Sequence, residues 1–167
     1  MTKNWNTEAE YSERSDFVDV SVVDDKLTLS SGKTSGYVRF RFDADEIVEW
    51  KSLIWENNYL YPISKVKVRV RTNDTAELSY DDFSFSDSVK WSSYYVDTPI
   101  ELIDILYIRN TQYIEIEVYF ETTNREYNIP TASNIILTYR QDTTGPGKPN
   151  AVRVSRIGRN IAPFWDR

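Results

Sequence analysis

Three stretches of strict alternation constrain this chain more than any other feature. Lys65–Arg71 reads Lys-Val-Lys-Val-Arg-Val-Arg, with three valines on one parity and four cations on the other. Tyr113–Phe120 puts Ile114, Ile116, Val118 and Phe120 on one parity, with Glu115 and Glu117 between them. Tyr37–Phe42 sets Val38, Phe40 and Phe42 against Arg39 and Arg41. Successive side chains of an extended strand point to opposite faces, so the pattern predicts a sheet with one buried and one solvated face. A helix would spread the same valines round its circumference. Shorter alternations, Val18-Val20-Val22 and Leu27-Leu29, flank Asp24-Asp25, a pair suited to a turn. Weaker strands are expected at Glu46–Trp55, Phe83–Phe85, Val89–Tyr95 and Asn134–Arg140, and Pro99–Leu106 reads either as a helical turn or as a strand. No stretch carries a three-turn amphipathic helix. The fold class expected is all-β, a sandwich or a barrel.

A length of 167 residues suits one domain plus tails. Residues 1–16 are polar, with Trp5 and Tyr11 as the large anchors, and read as an extended N-terminal arm. Residues 17–140 hold the β pattern. Gly145-Pro146-Gly147-Lys148-Pro149 punctuates its end, and residues 141–167 read as a basic, extended C-terminal arm. The net charge of -6 argues against general nucleic-acid binding. It is unevenly placed: Lys148, Arg153, Arg156, Arg159 and Arg167 against Asp142 and Asp166 make residues 141–167 +3, leaving -9 on the rest. A basic arm on an acidic body suits contact with its own domain or with an acidic neighbour. Phe164-Trp165 near its end gains by being buried against something. Trp5, Arg153, Arg156, Arg159, Phe164 and Trp165 are therefore the expected partner contacts.

Catalytic equipment is sparse. The chain has no cysteine and no histidine, which removes disulfides, thiolate metal sites, the usual general base and the commonest zinc ligand. Carboxylates are plentiful, but nothing in the sequence sets two of them at a glycosidase separation. Asp24-Asp25 and Asp81-Asp82 match no calcium loop and read as turn residues. Gly32-Lys33-Thr34 lacks the upstream glycine and the following helix of a phosphate loop. The cations of Lys65–Arg71 and the anions Glu115 and Glu117 read as cross-strand partners, if their strands are neighbours, rather than as a ligand site. Trp91-Ser92-Ser93-Tyr94-Tyr95 is the best candidate for a surface aromatic patch, and Trp91, Tyr94 and Tyr95 are the candidate glycan-stacking residues. No enzyme, cofactor or metal is expected. No apolar run approaches the roughly 20 residues of a membrane span, and the start lacks a signal-peptide apolar stretch, so synthesis in the cytoplasm is expected.

The order of four segments is more specific. Trp50…Leu53-Ile54-Trp55 is followed by Val66-Lys67-Val68-Arg69-Val70-Arg71-Thr72, then Tyr113-Ile114-Glu115-Ile116-Glu117-Val118, then Asn134-Ile135-Ile136-Leu137-Thr138-Tyr139-Arg140. A polar loop with aspartates, Asn73-Asp74-Thr75 through Asp81-Asp82-Phe83-Ser84, follows the second segment. Over residues 17–140 this resembles a β-sandwich module of tailed-bacteriophage virion proteins that recurs in tail, baseplate and fibre-attachment proteins. Phe83-Ser84 and Phe85-Ser86 stand where that module has a Trp-Ser pair, and Pro99–Leu106 is longer. The resemblance implies an antiparallel β-sandwich of jelly-roll type with extended arms. It also implies a structural virion protein whose partners are other virion proteins and copies of itself. Similar jelly rolls serve as carbohydrate-binding modules, so a module for host-surface glycans is the alternative.

Overall fold

The computed structural model describes residues 1–80, 82–105 and 110–142. The expected contacts Arg153, Arg156, Arg159, Phe164 and Trp165 lie outside the described residues. The architecture is mostly antiparallel β-sheet. In chain order it comprises β1 (Thr2–Trp5), α1 (Glu8–Tyr11), β2 (Ser15–Val18), β3 (Val20–Val23), β4 (Lys26–Leu29), β5 (Ser35–Asn58), β6 (Ser64–Asn73), β7 (Glu77–Ser79) and β8 (Asp82–Ser84). There follow β9 (Ile100–Glu101), a 3-10 turn at Leu102–Asp104, β10 (Thr111–Thr122) and β11 (Thr131–Gln141). The main sheet has nine strands, with the path β3-β4-β11-β5-β10-β6 and with β1 on β11, and β2 and β9 on β5. β7 and β8 form a separate hairpin.

Strand β5 organises the molecule. Its first half pairs with β10, Tyr37 opposite Tyr119 and Asp43 opposite Tyr113. Its second half pairs with β11, Val48 opposite Gln141 and Asn58 opposite Thr131. β10 runs toward the loop at residues 123–130 and β11 runs away from it, so β5 must double back between Asp43 and Val48. Asp45 supplies the turn, at φ 67. Its backbone N–H donates to Asp43 Oδ1 at 2.8 Å, an Asx turn in which the Asp43 side chain holds the backbone two residues on. Side chains from both halves of the sheet meet in one core. Trp5, on β1, packs against Phe40, on the first half of β5, with ring centroids 5.3 Å apart. Phe42, Trp50 and Tyr139 meet beside the bend at 5.3–6.3 Å.

Register irregularities aim the second half of β5. Burial shifts from the even residues Val48 and Trp50 to the odd residues Leu53 and Trp55. The shift falls where Tyr139 pairs with Trp50 but Thr138 pairs with Ser52, leaving Lys51 as an extra residue. A second irregularity, at Asn134 with φ 54, lies opposite Trp55.

The expected turn at Asp24-Asp25 is present. Both residues have positive φ, 51 and 60, which gives the β3–β4 hairpin the twist that suits its strands. The first sixteen residues need a correction. Instead of an extended arm they form β1, paired with β11 from Thr2–Thr138 to Trp5–Ile135, and the short helix α1. Thr7 and Glu10 close a reciprocal capping box on that helix. Tyr11 is buried, and its hydroxyl donates to the Asp25 carbonyl at 3.1 Å. Trp5 is 0% exposed and therefore belongs to the chain's own core, not to a partner contact. The sequence pattern missed this because four residues are too few to show a period. No helix among the described residues is long and apolar enough to cross a membrane.

Candidate binding surfaces

The first surface is built by β10 lying between β5 and β6. Register places Glu117 opposite both Arg39 and Arg69, and Glu115 opposite both Arg41 and Arg71. Each glutamate thus sits between two arginines. Glu117 accepts from Arg39 Nε at 2.9 Å, from Arg69 Nε at 2.9 Å and from Arg69 Nη2 at 3.1 Å. Tyr94 donates its hydroxyl to the same carboxylate. Glu115 accepts from Arg71 Nε at 2.8 Å and from Arg41 Nη1 at 3.3 Å. Arg41 also reaches Asp16 at 2.7 Å, fastening β2, and Asp82 at 2.6 Å, fastening the β7–β8 hairpin.

The face is not solvated, contrary to the alternation rule. Glu117 is 1% and Glu115 3% exposed. The chain after β8 lies over them. Trp91 stacks 4.4 Å from the guanidinium carbons of both Arg69 and Arg71 and 5.3 Å from that of Arg39. Phe85 covers Arg71 at 5.3 Å, and the Lys67 ammonium lies over the rings of Tyr94 and Tyr119. Planar guanidinium suits this role, because it bonds carboxylate in its plane and stacks on aromatics with its faces.

Electrostatics follow from the geometry. Burial works against ionisation of Glu117, but the hydrogen bonds from Arg69, Tyr94 and Arg39 outweigh it and hold its pKa below the ordinary glutamate value of 4.5. Asp82 is likewise held below 3.8: burial opposes its charge, and the bonds from Arg41 and from the Phe83 N–H outweigh that. Arg41 is raised above the usual arginine value, because Asp82 and Asp16 outweigh its burial. Tyr94 is pushed up to about 12 by burial and by its bond to Glu117. The signs set a pH window. Glu117 and Asp82 bind protons more weakly folded than unfolded, so their contribution is complete above the ordinary carboxylate values and is lost as pH falls through the depressed ones. Tyr94 holds its proton more tightly folded, so stability also declines between pH 10 and about 12. Urea midpoints should therefore be flat from pH 6 to 9 and fall on both sides. A midpoint unchanged down to pH 3 would contradict the assignment.

The expected aromatic platform is divided. Trp91 and Tyr94 share the outer face, and Tyr94 is 38% exposed. Tyr95 pairs with Val68 through both backbone bonds, at 2.7 and 2.8 Å, and its ring packs against the main core. Adjacent residues of an extended chain point to opposite faces, so Tyr94 and Tyr95 cannot serve one platform. Asp43 and Asp45 line one cleft of about 190 Å³ together with Glu13, Lys3 and Arg41. Asp82 is held by Arg41, Glu49 by Arg140, Glu56 by Asn134 and Asp43 by Gln112. A cleft of about 360 Å³ at the end of β6 has Asp74 as the one carboxylate among its described lining residues, where glycoside hydrolysis needs two. Among the described residues no group of three or more carboxylates is arranged to hold a metal ion.

The second surface was not expected from the sequence. The β5–β6 loop and the β10–β11 loop are joined side by side. Asn58 pairs with Thr131 at their base. Ser64 Oγ donates to Asn128 Oδ1 at 2.6 Å, and Thr123 N donates to the Ile63 carbonyl at 2.8 Å. On them stand Leu60, Tyr61, Tyr127 and Ile129, with Tyr61 70% and Tyr127 66% exposed. At the opposite end of the strands the β7–β8 hairpin presents Leu78, 73% exposed, and Tyr80, fully exposed. Phe83 anchors that hairpin on Tyr113 at 4.9 Å. The available signal was large apolar residues inside turn-forming context, as in Asn57-Asn58-Tyr59-Leu60-Tyr61-Pro62. Core-building rules do not require such residues there.

No protein-family model matches the chain, and no curated protein matches it.

Proposed function

We propose that this chain is a non-enzymatic assembly module, a structural component of a tailed-bacteriophage virion that docks onto neighbouring tail, baseplate, neck or head subunits. A jelly-roll-type sandwich and a basic C-terminal arm belong to the same reading. The observation that carries it is the contrast between the surfaces. The charged face is neutralised within the chain, each buried glutamate between two arginines. The two ends of the strands instead leave large apolar side chains in solvent, Leu60, Tyr61 and Tyr127 at one and Leu78 and Tyr80 at the other. Exposed apolar clusters of this kind mark contact with another macromolecule. The phage assignment itself rests on the resemblance in strand order described above.

The test is the native mass of the full chain by light scattering across a wide concentration range. A defined oligomer is expected. A monomer at every concentration, combined with saturable retention on immobilised glycans, would favour the carbohydrate-binding alternative. That alternative is motivated by Trp91 and the partly exposed Tyr94 on one face.

A further inference from the structure

We propose that residues 151–167 of one copy seat on the loop patch of the next, on Leu60, Tyr61, Tyr127 and Ile129, so that the chains associate head to tail. This rests on the assembly reading and names its surface and its occupant.

The patch comes first. Its four side chains sit on two loops fastened to each other at their base, so they are held as one surface. Direction comes second. β11 begins at Thr131 beside the patch and ends at Gln141, opposite Val48, at the other end of the strands. Ten steps of about 3.4 Å each separate those ends by roughly 34 Å. The 25 residues after Asp142 therefore start at the end opposite the patch. Reaching the patch of their own copy means running back along the whole sheet. Reaching that of the next copy needs only continuation outward. Chemistry comes third. Residues 143–167 carry Lys148, Arg153, Arg156, Arg159 and Arg167 against Asp166, +4, and residues 1–142 carry the remaining -10. The attraction is between the tail and the acidic body as a whole. At the patch the Lys65 ammonium lies 5.6 Å from the Tyr61 ring, so the contact there falls to the apolar residues Ile157, Ile161, Phe164 and Trp165, which match the aromatic and apolar side chains of the patch. A contact between two unlike surfaces of the same chain is heterologous, and it closes into a ring or extends into a filament.

Two full-length variants test this, Y61S/Y127S and F164S/W165S. Each should associate roughly tenfold or more weakly than the parent, and Y61S/Y127S should keep the parent's far-UV circular dichroism, since Tyr61 and Tyr127 are exposed. Mixing the two should restore a dimer, because one brings an intact tail and the other an intact patch. If Y61S/Y127S or F164S/W165S keeps the parental mass, the docking proposal fails and the assembly reading stands. If the mixture stays monomeric, the tail does not act between copies, and the head-to-tail proposal is overturned. A parent that is monomeric at every concentration would overturn the head-to-tail proposal and leave the assembly reading to docking on unlike subunits.

Discussion

Trp5→Ala lowers stability by about 3–5 kcal/mol, the range for truncating a buried tryptophan, with a drop in Tm on the order of 10 °C. The residue lies within the first strand, yet its side chain is wholly inaccessible and packs against Phe40 from the opposite half of the sheet. The Lys3 ammonium lies 5.6 Å from its ring. A truncation there opens a cavity between the two halves, and β1 loses the anchor that holds it on β11. Trp5→Phe should cost clearly less. It keeps a ring against Phe40, and it removes an indole N–H that is buried without a hydrogen-bond partner. Urea denaturation of the two variants checks both statements. An unchanged midpoint for Trp5→Ala would mean that the first strand is not part of the folded domain.

Glu117→Gln costs roughly 3 kcal/mol, the low end for breaking a buried ion pair. The low end applies because Arg39 and Arg69 keep 27% and 24% of their side-chain surface exposed, so water partly compensates the loss. The glutamine keeps the shape but cannot supply the charge that faces two guanidiniums and a tyrosine hydroxyl. Two further readouts separate an electrostatic role from a packing role. The difference between Glu117→Gln and the parent should shrink as pH falls through the depressed pKa of Glu117, since the parent carboxylate is then neutral as well. Replacing Arg39 and Arg69 by methionine together with Glu117→Leu should also recover much of the loss, because apolar residues of similar volume can substitute for a buried charge cluster. A difference that stays constant with pH would assign the residue to packing alone.

The stretches Tyr37–Phe42, Lys65–Arg71 and Tyr113–Phe120 were legible as strands, and so was the pairing of their charges. Alternation reports which side chains share a face, and opposite charge reports which faces can be neighbours. The β5–β10–β6 register realises both, with Glu115 and Glu117 each between two arginines. The Asp24-Asp25 hairpin was legible for a similarly local reason: a two-residue turn needs residues that accept positive φ. Of the candidate site residues, Trp91 and Tyr94 share the expected face, while Tyr95 and Trp5 turn inward. Both inward residues are fixed by partners distant in the chain, Tyr95 by Val68 on β6 and Trp5 by Phe40 on β5.

Local periodicity and local turn chemistry are properties of a few consecutive residues, and these the sequence determined by itself: the strands at Tyr37–Phe42, Lys65–Arg71 and Tyr113–Phe120, their inner parity and the sign of their outer faces. β1 was missed, and the expected strand Val89–Tyr95 makes only the Tyr95–Val68 bridge. Three matters were decided only in the tertiary structure. One is the reversal of β5 at Asp45, which makes a single strand serve both halves of the sheet. Another is the burial of the ionic face beneath Phe85 and Trp91. The last is the bringing together of Tyr61 and Tyr127 on one end. Each depends on contacts between residues far apart in the chain, whose free energy appears only when solvent is excluded between surfaces that local pattern does not place side by side.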